Sequence, residues 1–305
     1  MSNIFIVDEN DNIRIDKYLN VLLPDISRSF IQKLLKNGNI LANDKVIKPN
    51  YKVKMGDKLN IDIPEPIEAN IHAENLNLNV IYEDDDVLIV DKPKNMVVHP
   101  APGHYTGTLV NGLMYHCKDH LSNINGVLRP GIVHRIDKNT TGCLIVCKND
   151  VSHNCVAKQL FDHSINRIYV GIVCGNLPDD SGTIDAPIGR DIHDRKKMAV
   201  NESGKRAITH YKVIKRFKQY NVVEFKLETG RTHQIRVHMA HINHPLLGDD
   251  LYNKSKSKFN LEGQCLHAKT IGFIHPTTKE YVEFESEIPD YFKHLLDVLE
   301  MQETR

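Results

Sequence analysis

No run of about 18 apolar residues occurs anywhere in the 305-residue chain, which argues against a membrane-spanning helix. Cysteine is scarce. The six residues sit irregularly at positions 117, 143, 147, 155, 174 and 265, so a disulfide scaffold is not expected. Met1-Ser2-Asn3 leads into a mixed polar segment that lacks the apolar core of a secretory leader. These absences predict a reduced, cytoplasmic protein with no membrane association. Net charge is missing too, since 39 Lys+Arg face 39 Asp+Glu, and at first sight that argues against a nucleic-acid partner. With 41% hydrophobic and 26% charged residues, the chain has the length for about two domains and a sizeable core.

The neutral total hides blocks of opposite sign. Residues 13–58 carry 10 Lys/Arg against 4 Asp/Glu, and residues 59–91 carry 9 Asp/Glu with no Lys/Arg. Residues 190–218 carry 10 Lys/Arg against 3 Asp/Glu, and residues 276–305 carry 3 against 8. A block of positive charge is the electrostatic footprint of a phosphate-binding surface.

Residues 1–12 read as a loose tail. Ile15, Tyr18, Leu19 and Leu22 form a helical stripe that Pro24 ends. Ser27 is a good N-cap for a second helix, with Phe30, Ile31, Leu34 and Leu35 facing one way until Asn37-Gly38. Asn43-Asp44 joins two short alternating segments, which predicts a hairpin, and Leu59 to Ile63 is a further strand. The acidic stretch from Ile63-Pro64-Glu65-Pro66 reads as a linker. Beyond it, strands are expected at 87–90, 144–147, 167–173, 222–227 and 281–284. Helices are expected near 109–114, 151–161 and 292–299, with Pro289 in the first turn of the last. Without a regular βαβ rhythm, the pattern predicts an α+β fold around a mixed sheet, preceded by a small basic α/β module.

Two polar clusters are dense enough to carry chemistry. The first runs from Val133 to Gly142 and places Asp137 between Arg135 and Lys138, where positive neighbours favour a carboxylate. Thr140 and Thr141 suit a turn, and Gly142 permits an unusual backbone angle before the apolar run that follows. The second runs from Leu227 to His238, where Arg231, His233 and the alternating Arg236 and His238 offer donors for a phosphate or a carboxylate. On residue types alone, an ordinary salt-bridged loop and a polar surface strand explain the two clusters about as well. The histidines at 233, 238, 241 and 244 invite a metal reading, but no cysteine lies near them and no metal is expected. Ile136 separates His134-Arg135 from Asp137, which breaks the kinase pattern, and no glycine-rich phosphate loop or serine-hydrolase elbow is present.

In combination these motifs resemble those of the RluA-type RNA pseudouridine synthases. Residues 134–142 resemble the family's catalytic motif, with Ile136 for leucine and Thr141 for serine. Residues 167–175 resemble its tyrosine motif, with Arg167 where lysine is frequent. Asp194 to Val200 resembles its basic loop, and residues 229–236 with His244-Pro245 and Gly248-Asp249 resemble its arginine motif. The stretch 97–103 is most similar to the branch acting on large-subunit ribosomal RNA. Residues 13–75 resemble the RNA-binding module first seen in small-subunit ribosomal protein four.

The resemblance implies a catalytic domain at 76–305 built on a mainly antiparallel sheet with flanking helices and loops. It implies isomerisation of uridine to pseudouridine in large-subunit ribosomal RNA, free or in an assembling subunit, by a monomer. The same chemistry on transfer RNA, or a noncatalytic role in ribosome assembly, are the alternatives. The reaction needs neither redox change nor group donor, so no cofactor is expected. Asp137 matches the catalytic aspartate, acting on sugar or base or removing a sugar proton. Arg231 matches the arginine expected to pair with it, and Tyr169 the tyrosine lying against the uracil. A flipped nucleotide is expected to meet His134 and Arg135. Arg14, Lys17, Arg28, Lys33, Arg195, Lys196 and Lys197 are expected to contact RNA backbone.

Overall fold

The computed structural model describes residues 2–8, 12–23, 26, 28–63, 71–101, 104–126, 129–194, 196–253, 255 and 257–303. The expected N-cap Ser27, the prolines at 64 and 66, and Arg195 lie outside them. Two compact units divide between Asn70 and Ile71.

The first unit contains β1 (Ser2–Ile6), α1 (Ile15–Leu22), α2 (Arg28–Lys36), β2 (Ile40–Ala42), β3 (Lys45–Val46) and β4 (Lys58–Asp62). Its sheet runs β1-β4-β2-β3. Residues 2–6 are therefore not a loose tail, because Ser2 to Ile6 pair antiparallel with Asp62 to Lys58. The β2–β3 turn is as expected: Asn43 and Asp44 both have positive φ, as a two-residue hairpin of this kind requires. Ile15, Leu19, Ile31, Leu34, Leu35, Ile40, Leu59 and Ile61 form the core. Phe30 departs from its expected stripe and is 39% exposed, since α2 turns only the i+1, i+4 and i+5 positions inward.

One polar residue ties the two helices together. Asp16 is fully buried and accepts from Arg14 Nε at 3.0 Å, Arg28 Nη2 at 2.8 Å and Gln32 Nε2 at 2.7 Å. Burial pushes its pKa up, but those three donors more than offset it and hold the carboxyl well below the usual range.

The second unit contains β5 (Asn79–Glu83), β6 (Val87–Lys92), α3 (Leu109–Cys117), β7 (Thr141–Cys147), α4 (Asp150–Phe161), β8 (Asn166–Cys174), β9 (Ser181–Asp185), β10 (Ile188–Arg190), β11 (Met198–Val200), β12 (Ile208–Arg216), β13 (Tyr220–Leu227), α5 (Gln234–His241), β14 (Leu266–Ile274), β15 (Tyr281–Glu285) and α6 (Asp290–Glu303). Among the described residues, nine strands make one sheet in the order β5-β6-β7-β14-β8-β13-β12-β9, with β15 on the far half of β14. Every pair is antiparallel except β7 with β14, which share two parallel positions. The mixed, mainly antiparallel α+β fold is thus as expected. Residues 71–75 belong to this unit rather than the first: Ile71 enters its core, and Asn111 donates to the His72 carbonyl.

Alternation along the strands splits the core between the two faces. On β6 and β7, Leu88, Val90, Leu144 and Val146 pack with α3 and α5, while Val87, Ile89, Cys143 and Ile145 pack with α4. Helix α6 covers the second face further along, through Phe292, Leu295 and Leu299. Residues 234–241, which read as alternating donors, are a helix whose first six residues are buried.

Candidate active site

Asp137 closes the segment leading into β7, and three ties hold that segment. Buried Lys92 donates from Nζ to the carbonyls of Pro93, Met96 and Lys138 at 2.8, 2.9 and 3.0 Å. Gln264 donates to Thr140 Oγ1 at 2.9 Å, and Thr141 Oγ1 meets His267 Nδ1 at 2.9 Å. Gly142 follows at φ +107°, where a Cβ would stand 2.2 Å from the Ala268 carbonyl oxygen, so only glycine fits the seam with β14. Across the sheet, Gly142 pairs with Ala268 and Ala268 with Tyr169, which brings the Asp137 segment beside the tyrosine strand.

A cavity of about 580 Å³ opens over this point. Asp137, Tyr169, Arg167, Arg231, His233 and Arg236 line it, with Leu227, Ile235 and Leu266 among its apolar walls. The carboxylate of Asp137 is a quarter exposed and accepts from Arg236 Nη1 at 3.0 Å. Arg236 also grips the buried carboxylate of Asp249, through Nε at 2.7 Å and Nη2 at 2.9 Å. Burial alone would lower the Arg236 pKa, but the two carboxylates raise it, so the guanidinium stays charged in fork geometry. Asp249 is fixed in turn by the backbone N–H groups of Leu251 and Tyr252, both at 3.0 Å.

This arrangement corrects the expected partner of Asp137. Arg231 lies in the same cavity, but its Nε donates to the Arg206 carbonyl at 2.9 Å, and the arginine on the aspartate is Arg236. The reason is local. His233 adopts a left-handed φ of 58°, α5 starts at Gln234, and the first helical turn carries Arg236 inward while Arg231 stays on the loop. A non-glycine residue held in that region is strained, and here it borders the site. The Tyr252 hydroxyl accepts from the Met198 N–H at 2.9 Å and meets His233 Nδ1 at 2.7 Å. His233 Nε2 faces Asp137 across 3.8 Å.

Tyr169 is 9% exposed, and burial pushes its hydroxyl up to about 12, so it is a neutral phenol. His134 also lines the cavity, but its Nε2 accepts from the Ile145 N–H at 2.9 Å. Burial, helped by the charge of Arg167, lowers its pKa to about 3, so it offers a ring edge and no positive charge. Arg135 is exposed at the rim and donates to Thr232 Oγ1 at 3.1 Å. Lys196 is exposed beside an adjoining cavity of about 420 Å³ that shares Asp137, and Lys197 is half-buried on the same loop. In the first unit, Lys17 and Lys33 are exposed, whereas Arg14 and Arg28 are anchored to Asp16. Both nitrogens of the His238 ring are committed, Nδ1 to Thr209 and Nε2 to the Ala186 carbonyl.

Comparison with known proteins covers both units. The model of the RNA pseudouridylate synthase family matches residues 86–241, and that of the S4 domain matches residues 13–59. The chain is 51% identical over 292 residues to an uncharacterized RNA pseudouridine synthase, YlyB, of Bacillus subtilis strain 168, covering 96% of each. It is 44% identical over 297 residues to the ribosomal large subunit pseudouridine synthase D of Zymomonas mobilis, covering 94% of this chain and 93% of that one. Among solved structures, human RNA pseudouridylate synthase domain containing 4 superposes with a TM-score of 0.59 at 21% identity, over 73% of this chain and 93% of that one, a likeness of fold.

Proposed function

Because the chain belongs to the RNA pseudouridylate synthase family and carries an S4 domain, we propose that the cavity around Asp137 isomerises uridines of large-subunit ribosomal RNA. The enzyme converts uridine to pseudouridine, exchanging the N1–C1′ bond for a C5–C1′ bond. The observation carrying the site assignment is the Asp137 carboxylate, held by Arg236 in a cavity that Tyr169 walls.

Each group has a task that its surroundings support. Asp137 is the catalytic carboxylate, and Arg236 fixes its orientation. Tyr169 offers its ring face to the uracil. A hydroxyl with a pKa near 12 is a weak proton acceptor at neutral pH, so stacking is the task its burial favours. The target base must leave its stack to enter, which costs least in a loop. Exposed Arg135 and the loop with Lys196 flank the opening and suit the sugar-phosphate backbone. In the S4 domain, Lys17 and Lys33 are the better candidates for phosphate contacts, since Arg14 and Arg28 already serve Asp16. We read the enzyme as a monomer, and a ribosomal substrate suits a cytoplasmic location.

The test is pseudouridine mapping on large-subunit ribosomal RNA and on transfer RNA treated with purified protein. New pseudouridines in the ribosomal RNA, absent with Asp137→Asn and Asp137→Ala, are expected. Activity retained by both variants would remove Asp137 from the mechanism, and modification of transfer RNA alone would overturn the substrate.

A further inference from the structure

Two buried guanidiniums line the cavity, and their surroundings differ. Arg236, 6% exposed, meets two carboxylates. Arg167, 7% exposed, has no carboxylate partner among the described residues. Its Nη2 donates to the Glu228 carbonyl at 2.8 Å, while its Nε is buried and finds no acceptor there. A guanidinium does not shed its charge at any physiological pH, and an uncompensated buried charge opposes folding. Space has nonetheless been kept for it: a Cβ on Gly230 would stand 2.6 Å from Arg167 Nη1. Arg167 also precedes Tyr169 by two positions on β8, so both side chains leave the same face of the sheet.

The reaction brings negative charge to such a place. As N1–C1′ breaks, the bonding pair passes to the uracil and spreads over N1, O2 and O4. It is given up again when C5 bonds to C1′, after which C5 loses its proton and N1 gains one. During that interval the base is anionic while the carboxylate of Asp137 lines the same cavity. A fixed donor aimed at developing charge in a site that excludes water lowers the barrier without reorganisation. We propose that Arg167 is a catalytic residue, its guanidinium donating to a uracil carbonyl and holding the negative charge of the detached base. The inference rests on the reading of the Asp137 cavity as the reaction site.

Single-turnover rates on an RNA that the wild-type chain modifies test it, with Asp137→Asn as the blank. A wild-type rate that the blank abolishes establishes the reading of the site independently. Against that baseline, Arg167→Met is expected to slow the saturated rate by about 100-fold or more, the usual cost of one such donor, with RNA affinity near wild type. Added guanidinium ion is expected to restore part of the rate in Arg167→Ala, whereas sodium at equal concentration is not. Gly230→Ala, which displaces the guanidinium and leaves its charge in the fold, is expected to reproduce the loss and keeps the inference testable where Arg167 variants fold poorly. A near-wild-type rate in Arg167→Met overturns the inference. So does a loss confined to affinity with a shallower salt dependence, which would make Arg167 a phosphate contact.

Discussion

Replacing Arg236 with methionine removes the charge between Asp137 and Asp249 while conserving much of the side-chain bulk. Asp137 is a quarter exposed and regains water, but Asp249 has no exposure and keeps only the N–H groups of Leu251 and Tyr252. Breaking a buried pair by deleting one partner costs about 3–5 kcal/mol. At roughly 2–4 °C per kcal/mol for a domain of this size, the melting temperature is expected to fall by about 10 °C. The double variant Arg236→Met/Asp249→Asn removes both charges and leaves an amide oxygen for the two backbone donors, so most of that loss is expected to return. Pseudouridine formation is not expected to return, because Asp137 still lacks its guanidinium. The chain has no tryptophan, so melting of the full-length protein is followed by circular dichroism. A single variant that melts with the wild type, or a double variant no more stable than the single, would refute the energetic reasoning. A double variant with wild-type turnover would refute the link to Asp137.

Burial lowers the pKa of His153, His238 and His267, each at most 2% exposed, so below pH 6.5 the unfolded chain binds more protons than the folded one. Stability is therefore complete above that pH and is expected to fall on acidification, by up to about 1.4 kcal/mol per pH unit for each group, in urea titrations. A urea midpoint that does not move between neutral and mildly acidic buffer would contradict this. Arg231→Ala is expected to weaken RNA binding and reduce its salt slope by about one while leaving the melting temperature in place. An unchanged slope would exclude a phosphate contact. Gly142→Ala forces a Cβ against the Ala268 carbonyl and is expected to cost stability and turnover together, and full activity in that variant would show that the seam relaxes.

The proposed catalytic carboxylate stands out because Asp137 sits in a run of charged and turn-forming residues just before an apolar strand. Its partner was not. Arg231 and Arg236 stand five positions apart in one motif, and only the left-handed turn at His233 decides which of them the helix brings inward. The second carboxylate on Arg236 comes from Asp249, thirteen residues further on, and its burial leaves no mark on local composition. The sheet was legible where strands are apolar throughout, as at Val87 to Val90. Strand β14 escaped notice because His267, Lys269 and Thr270 interrupt it, although His267 is buried through hydrogen bonds to Thr141 and the Ser286 carbonyl. Strand β1 escaped for another reason: five residues pair with a strand more than fifty positions away, and no local pattern announces that.

Chain order and sheet order disagree most at β14, and this governs when the enzyme comes into being. The strand at the middle of the sheet is synthesised after seven of its other eight strands: Thr141 waits 126 residues for His267. Until residues 264–274 emerge from the ribosome, β7 and β8 present open edges and the segment bearing Asp137 lacks two of its three ties. A nascent chain ending near residue 260 already contains Asp137, Tyr169, Arg231 and Arg236, yet it lacks the strand that joins the Asp137 segment to the tyrosine strand. Such late, long-range closure makes for slow folding. Catalytic competence thus waits on β14.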